Sequence, residues 1–188
     1  MKYGKQKLAS CHFQPQSRMG QELNKKLSWQ VNRFGRRIQM IDQEGFVFDL
    51  DNTDKIDELL RYTSLVLLDI KHIDEDEHVR LTGHSNMRIL DFAKYLAAKK
   101  IPMWVRHVVV PEITTKEIYL ERLGEFLAGL KNVVALDILP YHDMAIPKYQ
   151  NLGIEYPLKD TPALTHAQAI DARKIIMAAY KRVKQADN

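Results

Sequence analysis

Six residues carry most of the chemistry this sequence can offer: Asp42, Asp69, Lys71, Arg106, Asp137 and His142. Asp69 and Lys71 close the apolar run 63–71 (TSLVLLDIK), Arg106 interrupts 101–110 (IPMWVRHVVV), and Asp137 interrupts 133–139 (VVALDIL). Asp42 ends a weaker run, 38–42, and His142 follows Pro140 and Tyr141. Ionised groups inside apolar runs are costly unless they are paired or meet a ligand. Carboxylates, a guanidinium, an ammonium and an imidazole together suit acid–base work. A salt-bridged plug, Arg106 with Asp69 or Asp137, fits the same pattern, and the spacing alone does not define a reaction.

The elements that would position these groups follow from hydrophobic period. The runs 63–71, 101–110 and 133–139 read as strands buried on both faces, with 38–42 as a weaker one before them. Within 63–71, Val66, Leu68 and Ile70 share a face, leaving Leu67, Asp69 and Lys71 on the other. Trp104, Arg106 and Val108 align in the next strand, then Ala135, Asp137 and Leu139, with Val134, Leu136 and Ile138 assigned to the helix side. Helical stripes lie between: Ile56, Leu59, Leu60 and Thr63; then Ile89, Phe92, Ala93 and Leu96, with Ser85 or Asn86 as cap. A third holds Ile118, Leu123, Phe126, Leu127 and Leu130, capped by Thr114 or Thr115. The last helix is expected from about Thr165 to Lys184, burying Ile170, Ile176, Ala179, Tyr180 and Val183. The fold class is therefore α/β, a partial (β/α) barrel of about four parallel strands alternating with helices. Such folds place their sites at the carboxyl ends of the strands, where Asp42, Lys71 and His142 fall.

The charge is unevenly placed. Nine of the 28 Lys and Arg but only one of the 24 Asp and Glu lie in residues 1–37, so the body is mildly acidic despite the net +4. Residues 1–37 are expected to be a basic, irregular arm, and 38–188 the partial-barrel domain. No helix-turn-helix, zinc-finger or RNP-like pattern accompanies the arm, so nucleic acid is not read as a partner. No apolar run reaches the roughly 18 residues of a membrane span. No signal-like apolar stretch opens the chain, which gives a cytoplasmic expectation. Cys11 stands alone, which excludes an internal disulfide or a multi-cysteine metal site within these residues.

Several features read as bland. His72, His78 and His84 are spaced unlike a zinc motif and are expected at the surface. Residues 74–77 (DEDE) read as the acidic first turn of a helix. Met40, Met87, Met103 and Met144 are expected to fill core gaps, and Cys11 to be an exposed thiol on the arm.

The segments 45–47 (GFV), 56–60 (IDELL), 67–71 (LLDIK), 82–86 (TGHSN), 89–96 (ILDFAKYL), 104–111 (WVRHVVVP), 122–126 (RLGEF) and 139–142 (LPYH) resemble one family in a single register. It is the C-terminal part of the pyruvate formate-lyase activating enzymes, radical S-adenosylmethionine proteins, matched over about 38–184. The resemblance implies an activase that cleaves S-adenosylmethionine and generates the glycyl radical on pyruvate formate-lyase, with a reductant such as flavodoxin. It implies that Asp69, Ile70, Lys71, Arg106 and His142 bind S-adenosylmethionine or border it. Asp42, with Asp69, matches a monovalent-cation site, although Gln43 replaces the family's usual Thr. The family's [4Fe-4S] cluster sits on a CxxxCxxC loop that is absent here, as is its GGE segment, so these residues supply no iron–sulfur ligands. The abrupt loss of family character before residue 38 is what a truncated or frame-shifted start would produce. The expectation is a chain inactive alone, or else a non-enzymatic remnant that still contacts a glycyl-radical enzyme.

Overall fold

The computed structural model describes residues 11–15, 29–31, 38–40 and 53–186. Its sheet has six strands: β1 (Cys11–Pro15), β2 (Trp29–Val31), β3 (Ile38–Met40), β4 (Thr63–Asp69), β5 (Met103–Val109) and β6 (Val133–Pro140). They lie in the order β2-β3-β1-β4-β5-β6. Only β4, β5 and β6 pair in parallel, and the helices alternate with these three. The fourth parallel strand expected at 38–42 is instead β3, paired antiparallel with β1 and β2. The place beside β4 is taken by β1, antiparallel, with Cys11 opposite Leu68 and Phe13 opposite Val66. Two strands thus fall within 1–37, where the sequence has no sustained period.

The parallel strands form where the apolar runs are densest. Val66, Leu68 and Ile70 on one face of β4 join Met103, Val105 and Val109 of β5 in the main core. That face is covered by four of the helices: α1 (Asp54–Leu60), α3 (Met87–Ala98), α4 (Glu117–Ala128) and α6 (His166–Ala186). They contribute Ile56, Leu59, Phe92, Leu96, Leu120, Leu123 and Ile176 to it. Two shorter helices are α2 (Glu75–Thr82) and α5 (Ile146–Asn151). Asp74 caps α2 by accepting from the Glu77 N–H, and Glu75, Asp76 and Glu77 fill its first turn, as the acidic run predicts. Gly83, at φ 80°, ends it in the left-handed conformation that glycine adopts without strain.

Helices α4 and α6 pack most closely at Gly124. A Cβ there would lie 2.2 Å from the Ile176 carbonyl oxygen and 2.9 Å from the Ala179 Cβ. This close approach sets which residues are buried. On α6 they are Ala169, Ala172, Ile176 and Ala179, while Ile170 is exposed and Tyr180 and Val183 are half-buried. On α4 Leu120 is buried and Ile118 is exposed, against the expected stripe. Small residues let the backbones meet, so the seam follows alanine and glycine rather than the largest side chains.

Three other expectations change. Val134 is 63% exposed because β6 carries an extra residue there: Met103 pairs with Val133 and Trp104 with Ala135, so Val134 has no partner in the β5–β6 register. Neither Thr114 nor Thr115 caps α4, whose N-cap is Lys116. Thr114 instead accepts from the Val110 N–H at 2.7 Å and donates to the Val108 carbonyl, closing the turn after β5. Met103 is fully buried, but Met87 and Met144 are exposed, and Met40 has no described side chain.

Candidate functional site

Parallel register places three charged residues in one row across the sheet. Asp69 of β4 is opposite Arg106 of β5, which is opposite Asp137 of β6. The row beneath it holds Leu67, Trp104 and Ala135. Both rows lie on the face away from the main core, as the period-two pattern predicts. Asp69 is 8% exposed and accepts from Arg106 Nε at 2.7 Å and from Lys71 Nζ at 3.2 Å. Lys71, two residues past the end of β4's pairing with Arg106, and Arg106 keep about a fifth to a quarter of their side-chain surface exposed (21% and 25%). One buried carboxylate therefore holds two cations that still face solvent.

Of the predicted site residues, Asp69, Lys71 and Arg106 come together. Ile70 lies between them with its side chain in the main core. Its N–H donates to the Arg106 carbonyl, and its carbonyl accepts from His107 Nδ1–H at 2.7 Å. His142 is exposed just beyond β6, next to buried Tyr141, whose hydroxyl donates to the Tyr156 hydroxyl at 3.0 Å. Asp42 lies outside the described residues.

The expected surface histidines are not on the surface: His72 and His78 are each 1% exposed, and only His84 is open to solvent. His72 Nδ1 accepts from the Asp74 N–H at 3.0 Å, which leaves Nε2–H to donate to the Ile113 carbonyl. His78 Nδ1–H donates to the His84 carbonyl at 2.7 Å. Burial lowers the pKa of both rings below the ordinary histidine value, and it pushes His107 down to about 4. These rings fasten the turn after β4. Asn86 does so too: it is the N-cap residue of α3, as expected, but its side chain donates to the carbonyls of His72 and Ile73 rather than making a cap bond. Ser85, one residue earlier, accepts from the Met87 N–H. Spacings of six residues gave no periodic signal for these contacts; only the fold of the turn brings them inward.

A parallel sheet with helices on one face and a charged row on the other defines an α/β, partial-barrel-like domain. No protein-family model matches the chain. It is 51% identical over 104 residues to the pyruvate formate-lyase-activating enzyme of Staphylococcus epidermidis, covering 55% of this chain and 41% of that protein. The enzyme of the same name from Staphylococcus aureus is 50% identical over 107 residues, covering 57% and 43%. Among solved structures, a domain of the pyruvate-formate lyase-activating enzyme from Bacteroides vulgatus superposes with a TM-score of 0.56 at 21% identity. That match covers 69% of this chain and 71% of the domain, and it supports the fold. Over its C-terminal part the chain is a homologue of the pyruvate formate-lyase-activating enzymes. It spans less than half the length of the curated relatives it matches.

The residues present fit one of the family's two cofactors. S-adenosylmethionine carries a carboxylate and an ammonium, and the exposed edges of Lys71 and Arg106 beside Asp137 suit such a ligand. An iron–sulfur cluster does not fit these residues, because it needs several thiolates and the 188 residues contain one cysteine. Among the described residues, no group of three or more His, Cys, Asp or Glu is placed to hold a metal ion. Among the same residues, no helix is long and apolar enough to cross a membrane.

Proposed function

We propose that this chain is the ligand-binding portion of a radical S-adenosylmethionine activase whose target is pyruvate formate-lyase. The observation that carries the reading is identity of about one half over more than 100 residues with enzymes of that name. In this reading Asp69 holds Lys71 and Arg106 in place, and these cations, with His142, grip the polar end of S-adenosylmethionine. Bound there, the ligand would supply a cleavable sulfonium. The chain's residues bind and orient it but bring no cluster to reduce it, so these 188 residues alone hold the ligand without breaking it. Asp42 with Asp69 remains the candidate monovalent-cation pair, and a flavodoxin-like reductant belongs to the complete enzyme, in the cytoplasm.

Calorimetry of the purified chain with S-adenosylmethionine, paired with an anaerobic assay for 5′-deoxyadenosine under strong reductant, tests both halves. Saturable binding without product is the expected result. Product in proportion to chain would overturn the claim of inactivity, and absence of binding would overturn the assignment of the site.

A second reading, a non-enzymatic remnant that contacts a glycyl-radical enzyme, is favoured by one observation. Met144, Leu152 and Ile154, in the segment after β6, are 71%, 70% and 53% exposed, and exposed apolar residues in one segment suit a protein partner. Retention of pyruvate formate-lyase by the immobilised chain, lost on substituting Leu152→Asp, is its expected signature.

A further inference from the structure

Helix α2 is held to the body differently from its neighbours. Its two buried side chains, His78 and Thr82, are both polar, while Val79 is exposed. None of the described residues that form the main core belongs to α2, although α1, α3, α4 and α6 all contribute. A helix that buries so little apolar surface owes its place to polar contacts, and it opens at lower cost than the core elements.

Those contacts pass through two histidine rings. His72, between β4 and α2, accepts from the Asp74 N–H through Nδ1 and donates to the Ile113 carbonyl through Nε2. Its ring meets the Tyr119 ring of α4 edge-on, with centroids 4.5 Å apart. His72 thus joins the turn before α2 to the loop after β5 and to α4. His78 Nδ1–H donates to the His84 carbonyl at 2.7 Å and so fastens the turn after α2. Its Nε2 is buried and has no partner among the described residues.

Both arrangements require neutral rings. A proton on His72 Nδ1 would face the Asp74 N–H, donor against donor. A proton on His78 Nε2 would be a buried donor without an acceptor. The surrounding charges do not relieve this. Lys71, His72 and His84 oppose a charge on His78, and His72 and His107 of β5 oppose each other. Asp74 and Glu77 favour a charged His72. Asp74, however, is already taken by Arg122 of α4 at 2.7 Å, and Glu77 by Arg80 at 3.0 Å. The other cation on this side of α4 is Lys116, which stands over the Tyr119 ring.

We propose that residues 72–86, α2 with its flanking turns, form an acid-released latch that opens as one unit when His72 and His78 take up protons, while the sheet and helices α3, α4 and α6 stay folded. The open segment takes up protons near the ordinary histidine value of 6.5, and the closed one only below it, because burial opposes the charge. Opening is therefore favoured as the pH falls. At about one pH unit below the ordinary value, each ring released raises the open population about tenfold. The latch begins next to Lys71, so the charged face borders a segment whose order depends on pH.

The test is hydrogen exchange of the full 188-residue chain between about pH 7.5 and about pH 5.5, corrected for the intrinsic exchange rate at each pH. Protection of residues 75–82 should fall by about tenfold to a hundredfold over that range, from a level already below that of 87–98 and 117–128. In the double variant His72→Gln with His78→Gln, protection of 75–82 should no longer change with pH. Protection of α2 that matches α3 and α4 at every pH would mean that no separate unit exists, and the latch is then wrong. An acid response that survives in the double variant would assign it to other groups and equally overturn the latch. A nuclear magnetic resonance titration of the parent's histidine rings decides the matter even if the variant does not fold. Rings of His72 and His78 that titrate near pH 6.5 while α2 stays protected would overturn the proposal, and rings that titrate only as α2 loses protection would support it.

Discussion

Along β5 the side chains of Arg106 and His107 leave the backbone on opposite faces, and the two faces of the parallel sheet differ in nearly every physical respect. On the helix side His107 is buried, donates to the Ile70 carbonyl and is held neutral by burial. Around it Met103, Val105 and Val109 are fully buried, and the helices supply Phe92, Leu96, Leu123 and Ile176. On the other side Arg106 pairs with Asp69, and Trp104, Arg106 and Val108 are only half-buried. One face holds the fold together by excluding water, and the other keeps charges near water. Substitutions on the two faces should therefore separate stability from binding.

The largest effect is expected behind the sheet. Phe92→Ala removes a buried ring from the main core and should cost about 3–5 kcal/mol, read from urea midpoints. A loss under about 1 kcal/mol would show that this face is loosely packed.

Acid comes next. His107 has its pKa lowered from 6.5 to about 4, and burial lowers His72 and His78 as well. The unfolded chain takes up protons near pH 6.5 while the folded rings stay neutral, so the unfolded state binds more protons and stability is lost as the pH is lowered. The loss should spread from about pH 6.5 down to about pH 4, on the order of 3 kcal/mol from His107 alone. Urea midpoints that stay level from pH 7 to pH 4.5 would mean that the ring is not held neutral.

Gly124→Ala pits helix propensity, which favours alanine by about 1 kcal/mol, against a Cβ 2.2 Å from the Ile176 carbonyl oxygen. Overpacking should win, with a net loss of about 1–3 kcal/mol in thermal or chemical melts. A stabilised variant would show that α6 can move off α4 at little cost.

On the site face Asp69→Asn leaves Lys71 and Arg106 without their shared anion. Because both cations reach solvent, the expected loss is smaller, about 1–2 kcal/mol, with weakened S-adenosylmethionine binding. Asp137→Asn should change stability by less than about 0.5 kcal/mol, since no described group depends on it. A large stability loss there would erase the contrast between the two faces.

Much of the body was readable in advance. The apolar runs located β4, β5 and β6, and period two put Asp69, Arg106 and Asp137 on the face away from the core. The acidic run before α2 marked its first turn. These are local properties: a strand buried on both faces must be apolar nearly throughout, and the exceptions stand out. Other features had no local signature. Val134 turned outward because of one extra residue in β6, which changes a register that period two assumes to be regular. Histidines 72 and 78 went inward because carbonyls from Ile113 and His84 were there to receive them.

The sequence by itself determined that the chain would build parallel β/α units, which side chains would carry charge, and that thiolates for a cluster are missing from these 188 residues. Tertiary structure alone decided how the charges pair. Asp69 took both Lys71 and Arg106, while among the described residues no ion pair joins Asp137 to Arg106, because register across three strands fixes who is adjacent while the direction of each side chain fixes who is reached. It also decided that β1 flanks β4 in antiparallel fashion, since strand pairing joins segments about fifty residues apart that no local pattern connects.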